Sequence, residues 1–276
     1  MSRIALISDV HGNLPALEAV LRDAHSFDVE EIYFLGDVVG YGPQPAECME
    51  LLLRECGMDN MIMGNQDHAC LSADNRWGYG SIYARQALEW TQGLMEKYVL
   101  ACGGETQPAL DWIRNMKEFM TVHGAQLFHG SPRDPRFEYI AMGDIIRPYE
   151  TSKVSDVFAK INHLCFVGHT HVPGVMLEAP VRWLNPALHQ RAETPEERDF
   201  LIDIGSTYEV SKEKALINVG SVGQPRDEDS RACYVLFDGS TVKWRRVEYD
   251  IEAVIALIET SDELNSALGD RLRRGR

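Results

Sequence analysis

The sequence predicts an α/β fold, and two observations carry that prediction. Through the first sixty residues, an apolar strand, a short polar loop and an amphipathic helix follow one another, a pattern typical of parallel strands joined by crossover helices. Later short apolar runs are separated by hairpin-type turns, which indicates antiparallel strands and hence two sheets packed together. We therefore predict one domain over residues 1–276, with an exposed insertion around residues 186–212.

The N-terminal part of the chain shows each element of the repeated unit. Its first helix places Leu14, Leu17 and Val20 at helical spacing, and Pro15 is tolerated because it falls in the first turn. Gly57 ends the second helix, since glycine is common just beyond a helix C-terminus. The predicted elements are strands at 3–8, 31–35 and 60–63 and helices at 14–23 and 45–55.

The middle of the chain is predicted to be helical and then to return to strands. Residues 80–117 form two helical segments separated at residues 102–104, where consecutive glycines break the pattern. A hairpin-like turn at 123–124 then brings His129 to the end of a strand. The remaining strands are predicted at 118–122, 125–128, 164–167, 215–219, 232–237 and 241–247, followed by a helix near 251–258.

Two segments are predicted to be exposed to solvent. Residues 186–203 contain Pro186, Pro195 and the charged run 196–199, a composition typical of a surface loop. The basic C-terminus, residues 271–276, is interpreted as a solvated tail, with contact to RNA as the alternative.

Composition argues against several classes of protein. The net charge of −15 repels polyanions, so nonspecific binding along nucleic acid is not expected. No apolar run approaches the roughly 18 residues that span a bilayer, and the first apolar stretch is too short for a signal peptide. The six cysteines show no CxxC spacing, which indicates reduced thiols. We expect a cytoplasmic protein, and the sequence leaves its oligomeric state open.

Side chains able to bind metal stand in five short segments, each where a predicted strand ends in a loop. Because the carboxyl ends of strands gather ligand sites in open α/β sheets, these residues can meet in one cleft. Two segments hold their ligands at positions i and i+2, a spacing that lets both side chains face the same way. Each segment alone could be an ordinary loop cap, but all five together indicate one site. The segments are Asp9-Val10-His11, Gly36-Asp37, Gly64-Asn65-Gln66-Asp67, His129-Gly130 and Gly168-His169-Thr170-His171.

The candidate ligands comprise two carboxylates, four imidazoles and one amide. These oxygen and nitrogen donors suit Mn, Fe, Zn, Ni or Co better than a thiolate site would. Seven ligands are too many for one tetrahedral ion, but they suit two ions about 3.5–4 Å apart that share a carboxylate. Two divalent ions against two carboxylates leave a local positive charge that attracts a phosphate ester despite the acidic surface. The candidates are Asp9, His11, Asp37, Asn65, His129, His169 and His171.

The ordered series D-x-H, G-D, G-N-x-[D/E], H and G-H-x-H resembles the calcineurin-like metallophosphoesterase superfamily. Residues 220–226, Gly-Ser-Val-Gly-Gln-Pro-Arg, are similar to a loop of its compact bacterial, phosphodiesterase-like branch. The resemblance covers nearly the whole chain and implies a four-layer α/β/β/α sandwich of two mixed β-sheets flanked by helices. It also implies two divalent or mixed-valence metal ions that share Asp37. The implied ligands are Asp9, His11 and His171 for one ion and Asn65, His129 and His169 for the other.

The implied activity is hydrolysis of a small phosphate ester by a metal-activated hydroxide, with Asn65 helping to stabilise the developing charge. The family's phosphatases usually carry a histidine after the motif asparagine, whereas this chain has Gln66, which cannot donate a proton at neutral pH. His68 could supply the proton instead, or its ring could simply pack or cap the following helix. Gln66 therefore favours phosphodiester substrates. The alternatives are a phosphomonoester or phosphoprotein phosphatase and a non-catalytic metal-binding scaffold.

Two further residues are candidates for roles in catalysis. Asp67 is predicted to orient a metal-bound histidine, because such imidazoles commonly donate their other N–H to a carboxylate. Arg226 could bind a substrate phosphate in bidentate fashion or pair with Asp227, and the sequence leaves both interpretations open. The natural substrate and the metal used are likewise open.

Overall fold

The computed structural model describes residues 2–71, 81–141, 143–146, 152–178, 181–184, 201–202 and 207–276. Within these residues, two mixed sheets lie face to face, and helices cover their outer faces. The four-layer α/β/β/α sandwich that the sequence predicts is therefore confirmed.

The strands and helices follow the chain in this order. The described strands are β1 (Ile4–Ile7), β2 (Glu31–Phe34), β3 (Val99–Cys102), β4 (Glu105–Pro108), β5 (Met120–Val122), β6 (Ala125–Leu127), β7 (Leu164–Val167), β8 (Gly174–Glu178), β9 (Val181–Leu184), β10 (Leu201–Ile202), β11 (Thr207–Glu209), β12 (Ala215–Asn218), β13 (Ala232–Phe237) and β14 (Thr241–Val247). The described helices are α1 (Leu14–His25), α2 (Pro45–Glu55), α3 (Asn65–Cys70), α4 (Ile82–Met95), α5 (Ala109–Asn115), α6 (Gly143–Ile146), α7 (Lys153–Lys160), α8 (Ile251–Glu259) and α9 (Ala267–Arg274). None of these helices has the length and apolar character needed to cross a membrane.

The two large sheets each combine parallel and antiparallel pairs. One has the order β11-β14-β13-β1-β2, in which β1 and β2 are parallel and the other pairs are antiparallel. The other has the order β10-β9-β8-β12-β7-β6-β5, in which β12, β7 and β6 are parallel. Because parallel strands end at the same edge of a sheet, the loops that follow them can contribute to one cleft.

Alternating side chains of β1 contribute to two hydrophobic clusters. Ile4 and Leu6 face the second sheet and pack with its strands. Ala5 and Ile7 point the opposite way and pack with α1 and α2, as the two-residue period of a strand requires. A third cluster, which includes Phe158 of α7, covers the outer face of the second sheet. Both faces of each sheet are therefore buried, which holds the strand ends in fixed positions.

The region 80–117 corrects one prediction from the sequence. Two helices are present, α4 and α5, but β3 and β4 form an antiparallel hairpin between them. Its turn is formed by Gly103 and Gly104, both at positive φ, which glycine adopts readily in tight hairpin turns. The prediction that the glycines merely separate two helices is therefore wrong. The strand predicted at 60–63 is present only as two isolated bridges.

Most of the insertion predicted at residues 186–212 lies outside the described residues. Two short parts of it, residues 201–202 and 207–212, are described, and each contains an edge strand. One is β10, at the edge of the second sheet, and the other is β11, at the edge of the first.

The basic C-terminus is helical and packed against the protein. Leu268 and Leu272 of α9 are buried in a cluster with residues of α4 and α8. The carbonyl of Gly275 then accepts the backbone N–H of Glu228 at 2.8 Å, which ties the chain end to the loop after β12. The interpretation of residues 271–276 as a solvated tail is therefore wrong, because the apolar face of α9 is buried.

Candidate metal centre

The loops after β1, β2, β6 and β7 and the start of α3 bring the predicted ligands together. Backbone hydrogen bonds join these loops: the N–H of Asp9 donates to the carbonyl of Gly36 at 2.9 Å, and that of Gly168 to the carbonyl of His129 at 3.0 Å. The loop after β12 joins them too, since the N–H of Gly223 donates to the carbonyl of Asp9 at 2.9 Å. The buried ligand side chains are Asp9, His11, Asp37, His129, His169 and His171, while Asn65 is half-buried.

Five of the predicted ligands have left-handed backbone conformations. Asp and His enter this region more readily than most residues, but strained conformations of this kind cost on the order of 1–3 kcal/mol each. They persist only where the surrounding structure holds them, and they cluster at functional sites. Their φ angles are 55° at Asp9, 49° at His11, 64° at Asp37, 66° at His169 and 61° at His171.

Asp9, His11 and His171 form the first of two groups that could hold a metal ion. Nε2 of His171 lies 3.1 Å from Oδ1 of Asp9 and 3.2 Å from Nε2 of His11. Oδ1 of Asp9 is buried and accepts no hydrogen bond from the described residues. A buried carboxylate oxygen without a donor is costly in a folded protein unless a cation or another partner occupies its free side.

Asp37, His129 and His169 form the second group. Nε2 of His129 lies 3.1 Å from Nδ1 of His169 and 3.4 Å from Oδ2 of Asp37. Oδ1 of Asn65 lies 3.1 Å from the same nitrogen of His129, so the amide joins this group. The arrangement matches the ligand set that the family resemblance implies.

Asp37 lies between the two groups. Its Oδ2 is 3.4 Å from Nε2 of His129 in the second group and 3.8 Å from Nε2 of His11 in the first. Its Oδ1 accepts the backbone N–H of Gln66 at 2.8 Å, which holds the carboxylate in this orientation. The position suits a carboxylate shared by two ions.

Backbone carbonyls determine which nitrogen of each ligand histidine faces the centre. A carbonyl accepts only from an N–H, so each ring carries its proton on the carbonyl side and directs a lone pair toward the centre. Four such lone pairs converge with two carboxylates, and a cation completes this set of donors. The nitrogen–oxygen distances are 2.9 Å from Nδ1 of His11 to Val39, 2.8 Å from Nδ1 of His129 to Leu35, 2.5 Å from Nδ1 of His171 to Gln224 and 3.2 Å from Nε2 of His169 to Phe137.

Asp67 binds backbone N–H groups and does not orient a ligand histidine, contrary to the prediction. Its Oδ2 accepts the backbone N–H groups of Asp37 and Gly64, at 2.7 and 3.0 Å. Its Oδ1 accepts that of Val38 at 2.9 Å. The prediction fails because backbone carbonyls already accept the outer N–H groups of the candidate ligand histidines. Asp67 instead joins the loop of Asp37 to the segment that leads into Asn65, and so helps to hold both residues in position.

Burial, with neighbouring positive charge, lowers the pKa of three histidines of the centre, His11, His169 and His171, and so favours their neutral form. Burial and a neighbouring imidazole lower the pKa of His11 to about 4 and that of His169 to about 3. His129 differs: burial lowers its pKa, but the Asp37 and Asp9 carboxylates and the Leu35 carbonyl together outweigh burial and raise that pKa to about 9. Neutral imidazole is the form that binds metal, so a cation at the centre competes with the proton on His129.

Gln66 and His68, the two positions considered for the proton donor, both lie on α3. Gln66 is buried, and its side-chain oxygen accepts no hydrogen bond from the described residues. The half-buried ring of His68 packs edge-on against Phe137, with 5.5 Å between ring centroids. The carbonyl of Phe137 in turn faces His169, so His68 lies at the rim of the second group. The ring of His68 thus packs against Phe137, and its role as the proton donor to the leaving group stays a prediction.

Arg226 lies near the first group and does not pair with Asp227. Its Nη2 donates to the side-chain oxygen of Gln224 at 2.9 Å, and its Nη1 lies 3.4 Å from the hydroxyl of Tyr139. Nε of Arg226 is buried and donates to none of the described residues. Asp227 pairs instead with Arg246. The interpretation of an Arg226–Asp227 pair is therefore wrong, and Arg226 retains donors for an anion.

Three residues at the rim of the centre are not singled out by the sequence. Tyr41 meets the ring of His11 edge-on, with 4.8 Å between centroids, and the ring of Tyr139 lies 3.9 Å from that of His169. The guanidinium of Arg271 lies 5.8 Å from the centroid of Tyr41. Tyr41 stands between two glycines just after a ligand loop, which is a usable signal. No sequence signal marks the other two, whose partners are far away in the chain.

Comparisons with known proteins show the family and the fold that this chain shares. A family model described as calcineurin-like phosphoesterase matches residues 2–173. An uncharacterized protein of Methanocaldococcus jannaschii is 34% identical over 100% of this chain and 99% of its own length. A metallophosphoesterase from Sphaerobacter thermophilus has a TM-score of 0.75 and 34% identity, covering 99% of this chain and 100% of that one. A hypothetical protein of Pyrococcus horikoshii, with a TM-score of 0.68 and 20% identity over 100% of this chain and 99% of its own, shares the fold.

Proposed function

Because the chain belongs to the calcineurin-like phosphoesterase family and is a metal-dependent phosphoester hydrolase, we propose that its substrates are phosphodiesters. The family depends on two metal ions, and this chain has two groups of side chains that could hold them. Small phosphate esters are the general substrate class, and a preference for diesters among them is what we propose.

The proposed ligand roles follow the two groups of side chains. Asp37 is shared, Asn65 completes the second group, and Arg226 offers donors to a phosphate group of the substrate beside the first. When bound, the ions supply positive charge that polarises the phosphoryl group and lowers the pKa of water. The proposed ligands are Asp9, His11, Asp37 and His171 for one ion and Asp37, Asn65, His129 and His169 for the other.

Gln66 is the observation that carries the diester proposal. Its backbone N–H donates to Asp37 at 2.8 Å, so it stands directly beside the centre. A carboxamide cannot protonate a departing alkoxide, whereas the histidine usual at this position in the family's phosphatases can. A monoester of an alcohol or of serine depends on that proton more than a diester with an acidic leaving group does. The loss of the donor therefore costs least with such diesters.

Steady-state kinetics on matched esters test this proposal. At neutral pH and saturating metal, we expect kcat/KM for bis(4-nitrophenyl) phosphate to exceed that for 4-nitrophenyl phosphate, with metal content verified in each assay. Faster hydrolysis of phosphoserine peptides than of every diester tried would refute the diester preference and leave the metal centre intact. No turnover of any ester by a protein holding two ions would favour the scaffold alternative.

The acid role of His68 predicts a difference between substrates. If His68 protonates the leaving group, His68→Ala should slow diesters with alkoxide leaving groups by about 10²–10⁴-fold and nitrophenyl esters far less. Thymidylyl-thymidine and bis(4-nitrophenyl) phosphate form a suitable pair of substrates. The control is His25→Ala, since His25 is exposed and pairs with Glu55. Equal losses on both substrates would assign His68 to packing against Phe137 alone.

The metal and the compartment are proposed on the chemistry of the side chains. The nitrogen and oxygen donors of the centre support Mn, Fe, Zn, Ni or Co. A cytoplasmic location is supported by the six cysteines, all of which are free, because reduced thiols are typical of that compartment.

A further inference from the structure

Two arginines at the rim of the metal centre have no Asp or Glu partner in the part of the chain that the structure describes. The guanidinium carbons of Arg226 and Arg271 each lie 5.8 Å from the centroid of the Tyr41 ring. Their hydrogen bonds to described residues go to an amide oxygen, a tyrosine hydroxyl and the main-chain oxygen of Arg276, and none goes to an Asp or Glu side chain. Burial and the positive charge of Arg226 both lower the pKa of Arg271, so the two cations repel one another.

Neighbouring arginines in the same part of the fold are paired. Arg273, also on α9, pairs with Glu252 at 2.7 Å, and Arg276 pairs with Glu228. The chain has 42 acidic residues against 27 lysines and arginines, so partners are plentiful. Two cations beside the same Tyr41 ring that have no Asp or Glu partner among the described residues indicate a place for an anion from outside the protein.

Tyr41 connects this pair of arginines to the metal centre. Its ring meets the ring of His11 edge-on, with 4.8 Å between centroids. The guanidinium groups of Arg226 and Arg271 lie near the same tyrosine ring. The arginines therefore extend the positive region of the centre from its first group toward α9.

Packing of α9 fixes Arg271 in this place. Leu268 and Leu272, on the same helix, are buried, with 3% and 6% of their surfaces exposed. Nε of Arg271 donates to the carbonyl of Arg276 at 2.9 Å, which leaves its terminal nitrogens as donors. The chain end is also hydrogen-bonded to the loop that follows Arg226. This contact links the segments that carry Arg226 and Arg271.

We propose that Arg226 and Arg271 form a subsite for a second phosphate of the substrate, which stays bound there while the first is hydrolysed at the metal centre. The inference rests on the proposed function. Guanidinium groups bind phosphate through paired, charge-assisted hydrogen bonds, and two of them suit a phosphate monoester with its larger charge. The substrate class is then a phosphodiester that carries a further phosphate, and not a simple dialkyl diester.

Calorimetry on the metal-loaded protein tests the subsite without turnover. The probes are propane-1,3-diyl bisphosphonate and propylphosphonate, which have the same carbon chain and resist hydrolysis. Arg271→Gln should weaken binding of the bisphosphonate about tenfold and binding of the monophosphonate less than about twofold, because only the bisphosphonate loses a charged contact. Arg271→Lys keeps the charge and should lose less than Arg271→Gln. Arg274→Gln, an exposed position on the same helix, should match the wild type with both probes.

Kinetics give a second measurement. The two substrates are thymidine 3′-phosphate 5′-(4-nitrophenyl phosphate) and the same compound without the 3′-phosphate. The ratio of kcat/KM for the first to kcat/KM for the second should be about tenfold lower in Arg271→Gln than in the wild type. In Arg274→Gln this ratio should equal that of the wild type. Equal weakening of both phosphonates, or no weakening of either, would overturn the subsite. If the wild type hydrolyses no ester, the proposed function fails, and the calorimetry still decides whether the second phosphate binds.

Discussion

Replacement of Asp37 by asparagine should release both metal ions and remove nearly all turnover. Oδ2 of Asp37 lies 3.4 Å from Nε2 of His129 and 3.8 Å from Nε2 of His11, so the carboxylate lies between the two groups, where we propose that both ions share it. Asparagine keeps the shape but not the charge that offsets two cations. We expect metal affinity at both positions to fall by more than the roughly 10–100-fold that loss of a supporting group usually costs. Metal analysis after dialysis, together with turnover of bis(4-nitrophenyl) phosphate, measures the change.

The matched control for this variant is Asp59→Asn. Asp59 is fully exposed and lies 3.5 Å from Lys117, so the same chemical change there should leave metal content and turnover as in the wild type. Two tightly bound ions and near-normal turnover in Asp37→Asn would remove Asp37 from the shared position.

Gly64→Ala should disrupt the centre although it removes no ligand. A Cβ at Gly64 would lie 2.1 Å from Oδ1 of Asp37 and 2.5 Å from its backbone nitrogen. The backbone of Gly64 has a φ of −89°, which alanine adopts freely, so contact with Asp37 is the obstacle. Either the carboxylate or the loop must move, and overpacking of this kind costs about 1–3 kcal/mol. We expect a lower Tm and less than one retained ion per chain.

Gly93→Ala is the control for the added methyl group. Its Cβ would meet nothing within 4 Å, and alanine in helix α4 should raise the free energy of unfolding by about 0.5–1 kcal/mol. If Gly64→Ala keeps wild-type metal content and Tm, then Asp37 can be displaced without loss, and its close packing against Gly64 has no role in the centre.

The meeting of the candidate ligands at one place is the part of the structure that the sequence predicts best. Apart from Asn65, which begins α3, each candidate ligand follows a strand whose apolar period is clear, and the burial of both sheet faces places the ends of those strands together. Short motifs such as Gly168-His169-Thr170-His171 therefore locate a site even without the fold. The alternation of strand and helix predicts the α/β class for the same reason.

Other features depend on contacts that no local pattern records. The role of Asp67 is wrong in the prediction because backbone carbonyls take the outer nitrogens of the ligand histidines, and carbonyls leave no mark in a sequence. The hairpin at Gly103-Gly104 is missed because a glycine pair fits a helix break as well as a turn. Arg271 is missed because its place beside Tyr41 follows from the packing of α9 alone.

Metal titration of the apoprotein tests the central claim most directly. Bound metal and turnover of bis(4-nitrophenyl) phosphate are measured on the same samples as Mn²⁺ is added stepwise. If the two groups of ligands form one hydrolytic centre, turnover should rise with occupancy and reach its plateau at about two ions per chain. Full turnover at one bound ion per chain, or no turnover at two, would contradict a shared two-metal centre.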